Sequence, residues 1–370
     1  MPSLTIEWRR DVSALDSIAD EWRALEDAVR TRTHLSTYDF LGTWYRHYAG
    51  DYGGLPLIGL ARRSGRLVGL APLTERRGSV GRIPVRRVEF APSDVPAGEF
   101  LVEEGCPEII TAFLESLSNS TKFDLICLDG VDPASDQLQT LTNAARARRM
   151  AVRTDDHAFA MVDLRRGYDA YWKGLSGHYR RNLNQKARKI TAEGFAVEGV
   201  IAGEPAPDLE NLIHRLIVIN EASYKLEGRP LAKIHRDFLA DVVRQLASRG
   251  TLSLPILTIG GRDAAFIMGV VERHCFYDIT LAYDEAFARV SPGAFLMQRV
   301  LEALAAVGVH TVVSHGAHDY KKHWATTFVP QKRLFLFAPS ARASATRFVR
   351  FGLEPLWRRL GALRAEHATP

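Results

Sequence analysis

The sequence is poor in the features that staple, anchor or export a chain. Its three cysteines, Cys106, Cys127 and Cys275, are odd in number and far apart in 370 residues. That spacing excludes a disulfide framework and a cysteine-based metal motif, and it suits a reducing compartment. No window approaches the run of about 20 apolar residues that a membrane-spanning helix needs. Met1 to Arg10 has neither an apolar core nor a small-residue cleavage pattern, so no secretory signal is expected and the expected location is the cytoplasm. Excess charge is small as well. A formal +5 and a pI near 9.1 suit phosphorylated ligands but do not by themselves indicate nucleic acid, and DNA is not an expected partner. What remains is a globular composition, 46% hydrophobic and 25% charged, in a chain long enough for two domains.

The densest chemistry lies between Cys275 and Trp324. Phe276 to Tyr283 is aromatic and β-branched and reads as a strand. Ser291-Pro292-Gly293 then opens Ala294 to Val307, whose apolar residues recur at helical spacing. Ser291 suits the cap, and Pro292 sits where the first turn has no donor to lose. Gly293 has no side chain, so an anion can approach the free N–H groups of the first turn, where the helix dipole favours negative charge. Arg289 lies just before. The plainer reading of Ser-Pro-Gly is a helix start and nothing more.

Val309 to Val313 predicts a second strand, followed by Ser314-His315-Gly316-Ala317-His318-Asp319-Tyr320-Lys321-Lys322-His323-Trp324. A general base needs a pKa near neutrality, which His has without help, so His315 and His318 are candidates. Asp278 is another, because acidic residues are disfavoured in mid-strand. Alternation places it on one face with Phe276 and Thr280, which equally suits a solvent-facing carboxylate. For the histidines the plainer reading is an exposed loop. For Tyr320 the plainer reading is packing beside Trp324, while Lys321 and Lys322 either bind a phosphate or are solvated. Upstream, Arg180 and Arg181 with Lys186, Arg188 and Lys189 form a basic face, which is either solvated or a site for an acidic or phosphorylated acceptor.

Taken in order, Leu4 to Trp8 predicts a strand, and Asp11 to Ala28 and Ser36 to Tyr48 predict helices whose aromatic stripes are core. Pro56 to Ala61 and Arg66 to Leu73 make a hairpin at Ser64-Gly65. A strand at Val85 to Phe90, a loop at Pro92 to Gly98, a helix at Glu108 to Ser118, a strand at Phe123 to Leu128 and a helix at Leu138 to Ala147 complete the first half. The second half repeats the order. It has a strand at Phe159 to Val162, the basic helix Tyr179 to Glu193, a strand at Phe195 to Ile201, helices at Leu209 to Tyr224 and His235 to Arg249, and a hairpin, Leu252 to Ile259 with Asp263 to Glu272, at Gly260-Gly261. Element order alone predicts an internal duplication. Ala341 to Glu366 reads as a basic amphipathic helix broken near Pro355, which docks on the protein or lies on an anionic membrane surface.

The order Ala282-Tyr283-Asp284, Ser291-Pro292-Gly293, helix, strand, Gly316, Tyr320-Lys321 and Trp324 resembles the C-terminal half of the CelD/BcsL-type acetyltransferases of the GNAT superfamily, which are related to the FemAB-like aminoacyl transferases. Ser176 to Leu183 with Lys186, Arg188 and Lys189 is similar to that family's basic helix, and Arg66 to Leu73 to its first hairpin. The resemblance covers Leu15 to Phe337. Two departures stand out. Pro292 occupies the place of the first Gly of the superfamily's phosphate-binding pattern and lacks its N–H. Ser314-His315-Gly316-Ala317 replaces a Gly-Arg-Gly-Asp-like segment.

The resemblance implies an α/β (α+β) fold of tandem GNAT-like domains, with mixed, mostly antiparallel sheets flanked by helices. The domains would be 1–150, 151–340 with the acyl-CoA site, and a helical tail at 341–370. It implies transfer of an acyl group from acetyl-CoA or another acyl-CoA, without a metal, to an amine on an amino sugar or an envelope polysaccharide precursor. The implied cofactor contacts are Tyr283, Arg289, Ser291, Gly293 and Ala294. The implied catalytic candidates are His315, His318, Tyr320 and Asp278, and the acceptor contacts are Arg180, Arg181, Lys321, Lys322 and Trp324. Two alternatives stay open: an aminoacyl-tRNA donor held by the basic helix, and a noncatalytic binding component of a polysaccharide system.

Overall fold

The computed structural model describes residues 3–29, 33–50, 52–92, 98–206, 208–223, 226 and 229–353. Two compact units make up the chain: Met1–His157 with the chain from Gln331 onward, and Ala158–Pro330. The first contains β1 (Leu4–Arg9), α1 (Ala19–Ala28), α2 (Tyr38–Tyr48), β2 (Leu55–Arg63), β3 (Arg66–Val80), β4 (Ile83–Phe90), β5 (Leu101–Val102), α3 (Glu108–Ser120), β6 (Leu125–Val131) and α4 (Asp136–Ala147). The chain crosses into the second unit within β7 (Ala151–Asp163). There it forms α5 (Tyr168–Gly174), α6 (Gly177–Glu193), β8 (Phe195–Val200), α7 (Leu209–Glu221), α8 (Lys233–Ser248), β9 (Leu252–Ile259), β10 (Arg262–Glu272), β11 (Cys275–Tyr283), α9 (Pro292–Ala306) and β12 (Thr311–Ser314). It returns within β13 (Thr327–Phe337) and continues into α10 (Ala341–Phe348).

Each unit has a mixed, mostly antiparallel sheet flanked by helices. In the first the strand order is β1-β2-β3-β4-β6-β13, and in the second β8-β9-β10-β11-β12-β7. The one parallel neighbour pair in each order is β4 with β6 and β11 with β12, and a helix separates those two strands in sequence both times. Both hairpins turn through two positive-φ residues, Ser64 (52°) with Gly65 (81°) and Gly260 (56°) with Gly261 (74°). That geometry matches the natural strand twist. The duplication predicted from element order is therefore a duplication of topology.

The first core packs Leu73, Val88, Phe113, Leu114, Ile126 and Leu336 together. The second is built on α9, whose Phe295, Leu296, Val300, Leu301 and Leu304 pack with Ile267, Phe276 and Val312. Each such side chain contributes roughly 1.5–3 kcal/mol of burial, and together they fix where α9 starts.

Several elements differ from the sequence reading. The helix expected from Asp11 begins at Ala19, after short 3-10 turns at Val12–Ala14 and Asp16–Ile18. Asp11 accepts bonds from the Ser13 N–H and hydroxyl, a local alternative to helix. β13 is not among the expected strands, because Pro330 and the charged pair Lys332–Arg333 interrupt the apolar run before Leu334. In its second half Leu334 and Leu336 join the first core while Phe335 and Phe337 pack with Leu125 and Ala343. The first unit thus takes in residues from Gln331 that the sequence reading assigns to the second domain and the tail. Residues 93–97 of the loop expected at Pro92 to Gly98, Tyr224 at the expected end of α7, and the expected helix beyond Leu353 with its break near Pro355 lie outside the described residues. Among those described, no helix is long and apolar enough to cross a membrane.

The β10–β11 pairing shifts register between Met268 and Gly269. A Cβ on Gly269 would lie 2.4 Å from Phe276 Cε2 and 2.5 Å from the Tyr277 carbonyl oxygen, whereas one on Gly174 would meet nothing within 4 Å. Gly269→Ala should therefore cost about 1–3 kcal/mol, and Gly174→Ala should stay within about 1 kcal/mol of the parent. Urea unfolding of the two variants followed by circular dichroism checks this; equal midpoints would contradict the packing.

Candidate active site

β11 and β12 pair at Cys275↔Thr311, Phe276↔Val312, Tyr277↔Val313 and Asp278↔Ser314, and no further. β12 ends at Ser314 while β11 runs on to Tyr283. Past Asp278, the backbone groups of β11 that point away from β10 have no partner on β12. A cavity of about 420 Å³ opens at this divergence. β11 contributes Asp278, Leu281, Ala282 and Tyr283 to it, and the entry to α9 contributes Ala288, Ser291, Gly293, Ala294 and Met297. Tyr179 of α6 and the segment Tyr320, His323 and Trp324 close the remaining sides.

The start of α9 differs from a simple capped helix. Ser291 has φ 52° and its side chain makes no capping bond, contrary to the expectation from Ser-Pro-Gly. Its hydroxyl instead accepts from Lys186 Nζ at 2.5 Å. Pro292 does occupy the first turn. Gly293 is buried against β11, and a Cβ there would lie 3.0 Å from Leu281 Cδ2 and 3.6 Å from Tyr283 Cδ1. The helix N-terminus and the Lys186 ammonium together make this end of the cavity electropositive, as a phosphate group requires. Arg289 is exposed and is not among the lining residues.

The floor is a chain of three polar groups. Lys321 is 3% exposed and Ser314 1%. Lys321 Nζ donates to Ser314 Oγ at 2.8 Å and to the His315 carbonyl, and Ser314 Oγ donates to Asp278 Oδ2 at 2.5 Å. A buried ammonium is tolerated only with such partners. Asp278, for which alternation allowed a solvent-facing position, faces the cavity. Lys321 does not line it but lies beneath it.

The two expected histidines are elsewhere. Burial pushes the His315 imidazole down to about 4, with the Lys321 ammonium adding to the effect, so it is neutral and a weak base at pH 7, and it does not line the cavity. His318 is exposed and its ring stacks 6.0 Å from that of Tyr320. Lys322 is exposed and pairs with Asp319 at 2.6 Å. Arg180 and Arg181 of α6 do not line the cavity either. Tyr283, Ser291, Gly293, Ala294, Asp278, Tyr320 and Trp324 do come together. Tyr179 and His323 are not assigned to the site from sequence, and Lys186, expected only in a basic face for an acidic or phosphorylated acceptor, instead meets Ser291. Tyr179 stacks on His323 at 5.6 Å, and burial raises its phenol to about 12, which keeps it protonated. As a tyrosine in an otherwise charged and polar helical stretch, it was the one signal there.

This geometry coincides with a family match. Residues 177–322 match the acetyltransferase (GNAT) domain. The matched segment thus begins at α6 and contains the lining residues from Tyr179 to Tyr320, while His323 and Trp324 lie just beyond it. Beyond it, the likeness is one of fold. FemX is 13% identical, with a TM-score of 0.56 over 86% of this chain and 96% of that one. The lysylphosphatidylglycerol synthetase of Bacillus licheniformis is 14% identical, with a TM-score of 0.54 over 92% and 97%. The C-terminal domain of a putative lysylphosphatidylglycerol synthetase from Agrobacterium fabrum is 13% identical, at 0.54 over 90% and 97%. No curated protein matches the chain.

The His315 burial has a consequence for pH. Its folded pKa lies below the ordinary 6.5, so no cost is felt above that pH, and the folded state loses ground as pH falls from 6.5 toward 4. Between pH 6.5 and 5 the parent should lose about 1.5 kcal/mol more than His315→Asn, the slope approaching about 1.4 kcal/mol per pH unit only once the unfolded imidazole is mostly protonated. Denaturant titrations of both proteins at the two pH values measure it; parallel losses would contradict a buried neutral imidazole.

Proposed function

We propose that the second unit transfers an acyl group from acyl-CoA, acetyl-CoA in the simplest case, to a primary amine. The observation that carries this reading is the divergence of β11 from β12 beside the start of α9, with Asp278 in the cavity between them. Strand amides past the end of the β12 ladder, a helix N-terminus and a carboxylate stand beside one cavity, and direct acyl transfer needs those three groups.

In this reading Gly293, Ala294, Ser291 and Lys186 receive the pyrophosphate of the donor, and Leu281 and Tyr283 flank its thioester. Backbone N–H groups of β11 past Asp278 donate to the carbonyl oxygen as negative charge develops on it. The amine nitrogen attacks the carbonyl carbon, Asp278 takes the amine proton, and the carbon–sulfur bond breaks. Tyr320 returns a proton to the sulfur. Ser314 and Lys321 hold the Asp278 carboxylate in place. Tyr179, His323 and Trp324 form an aromatic wall suited to a protonated amine before it is deprotonated. An amino sugar or an envelope polysaccharide precursor is the acceptor that the CelD/BcsL resemblance supports.

A second reading takes the acyl group from aminoacyl-tRNA. Arg181, Arg188 and Lys189 are exposed on α6 and available to RNA phosphates, and FemX shares the fold.

Calorimetric titration of the whole chain with acetyl-CoA should give saturable binding that Gly293→Glu abolishes, since the new carboxylate would enter the anion end of the cavity. Asp278→Asn should leave that affinity intact and lower CoA release with glucosamine as acceptor by about 100-fold or more. Unchanged affinity in Gly293→Glu would remove the donor assignment, and tRNA binding without acetyl-CoA binding would favour the second reading.

A further inference from the structure

The first unit repeats the strand arrangement of the candidate site. Its parallel pair, β4 with β6, is registered at Arg87↔Leu125, Val88↔Ile126 and Glu89↔Cys127, and stops there. In the second unit the last registered pair is Asp278↔Ser314. Both parallel ladders therefore end on a carboxylate facing a hydroxyl or thiol residue, and both open into a cavity. The one in the first unit has a volume of about 260 Å³.

Its wall differs in kind. Arg87, Arg333 and Arg350 face it, together with Glu89 and Asp129. Arg333 Nε donates to Asp129 Oδ2 at 2.7 Å, and Arg350 lies 3.4 Å from Asp155. Arg76 bonds Glu89 at 3.3 Å, whereas the nearest approach of Arg87 to that carboxylate is 3.9 Å. Arg87 Nε is buried and has no hydrogen-bond partner among the described residues. Four guanidinium groups thus share three carboxylates, and one buried donor is unused. Burial drives the Cys127 thiol up to about 12, so no thiolate offsets the excess positive charge.

A nucleotide-bearing donor does not suit this cavity. The helix after β4, α3, begins with Glu108, has no side-chain cap, and is flanked by Glu103, which pairs with Arg66. Glu108 is itself paired with Arg63 at 2.7 Å and no residue of the α3 start lines the cavity, so this cavity lacks the helix start and lysine that α9 and Lys186 give the other one.

We infer that the first unit holds a second ligand site, at the end of its own parallel strand pair, that takes a small oxyanion through Arg87 and Arg350. Such an anion completes the bonding of Arg87 Nε and balances the fourth guanidinium, and Arg350, which lies over the Phe335 ring, faces the same cavity.

The test uses inorganic phosphate as probe and the full chain carrying Gly293→Glu, which closes the anion end of the other cavity. At constant ionic strength, with chloride as the balancing salt, phosphate should raise the melting temperature in a saturable way. Adding Arg87→Gln should weaken the apparent affinity by about tenfold, and Arg350→Gln, as a separate variant, should do the same. With Gly293 intact, Arg87→Gln should bind acetyl-CoA as the parent does if the parent binds it, which shows that the variant is folded; its circular dichroism spectrum serves the same purpose otherwise. Phosphate no more effective than chloride, or equal affinity in parent and both folded variants, would overturn the site.

Discussion

The candidate site depends on how one buried ammonium is accommodated. An ion with no partner in the interior costs several kcal/mol, so Lys321 must bring acceptors with it. It finds Ser314 Oγ and the His315 carbonyl, and Ser314 passes its own proton toward Asp278. Those bonds hold the end of β12 in place. Two residues on, Gly316 turns the chain at φ 79°, and β11 continues alone. The stretch of β11 beyond the β12 ladder, the cavity beside it and the position of Asp278 all follow from where that ladder ends.

The same device occurs twice in the chain. Glu89 and Cys127 end the parallel ladder of the first unit as Asp278 and Ser314 end that of the second. The surroundings have diverged: a lysine, an aromatic wall and a helix start in one, arginine–carboxylate pairs in the other. A duplicated scaffold with two differently charged cavities lets the units specialise without changing strand order, since function resides in the groups grafted onto a fold.

Much of the scaffold was legible in the sequence because its signals are local. Ser64-Gly65 and Gly260-Gly261 marked both hairpins, and the apolar spacing of Ala294 to Val307 marked α9. The divergence was not legible, because it depends on register between strands more than thirty residues apart. Ser-Pro-Gly marked a helix start, yet Ser291 proved to be a partner of Lys186, which comes from a helix a hundred residues earlier. His315 and His318 drew attention as titratable residues in a short polar segment, but one is buried and neutral and the other exposed. Residue type shows that a group can titrate; only packing decides whether it does so, and where. Tyr179 and His323 were missed for the converse reason, since each gains its place from the other's ring.

The central claim is that the acyl donor lies along β11 beyond the end of its ladder with β12, with its phosphates at the start of α9. Amide hydrogen exchange with and without acetyl-CoA tests it most directly. The expected result is added protection confined to Leu281–Tyr283 and Gly293–Phe295, with the first unit unchanged. Protection that spares both segments, or that appears only in the first unit, would contradict it.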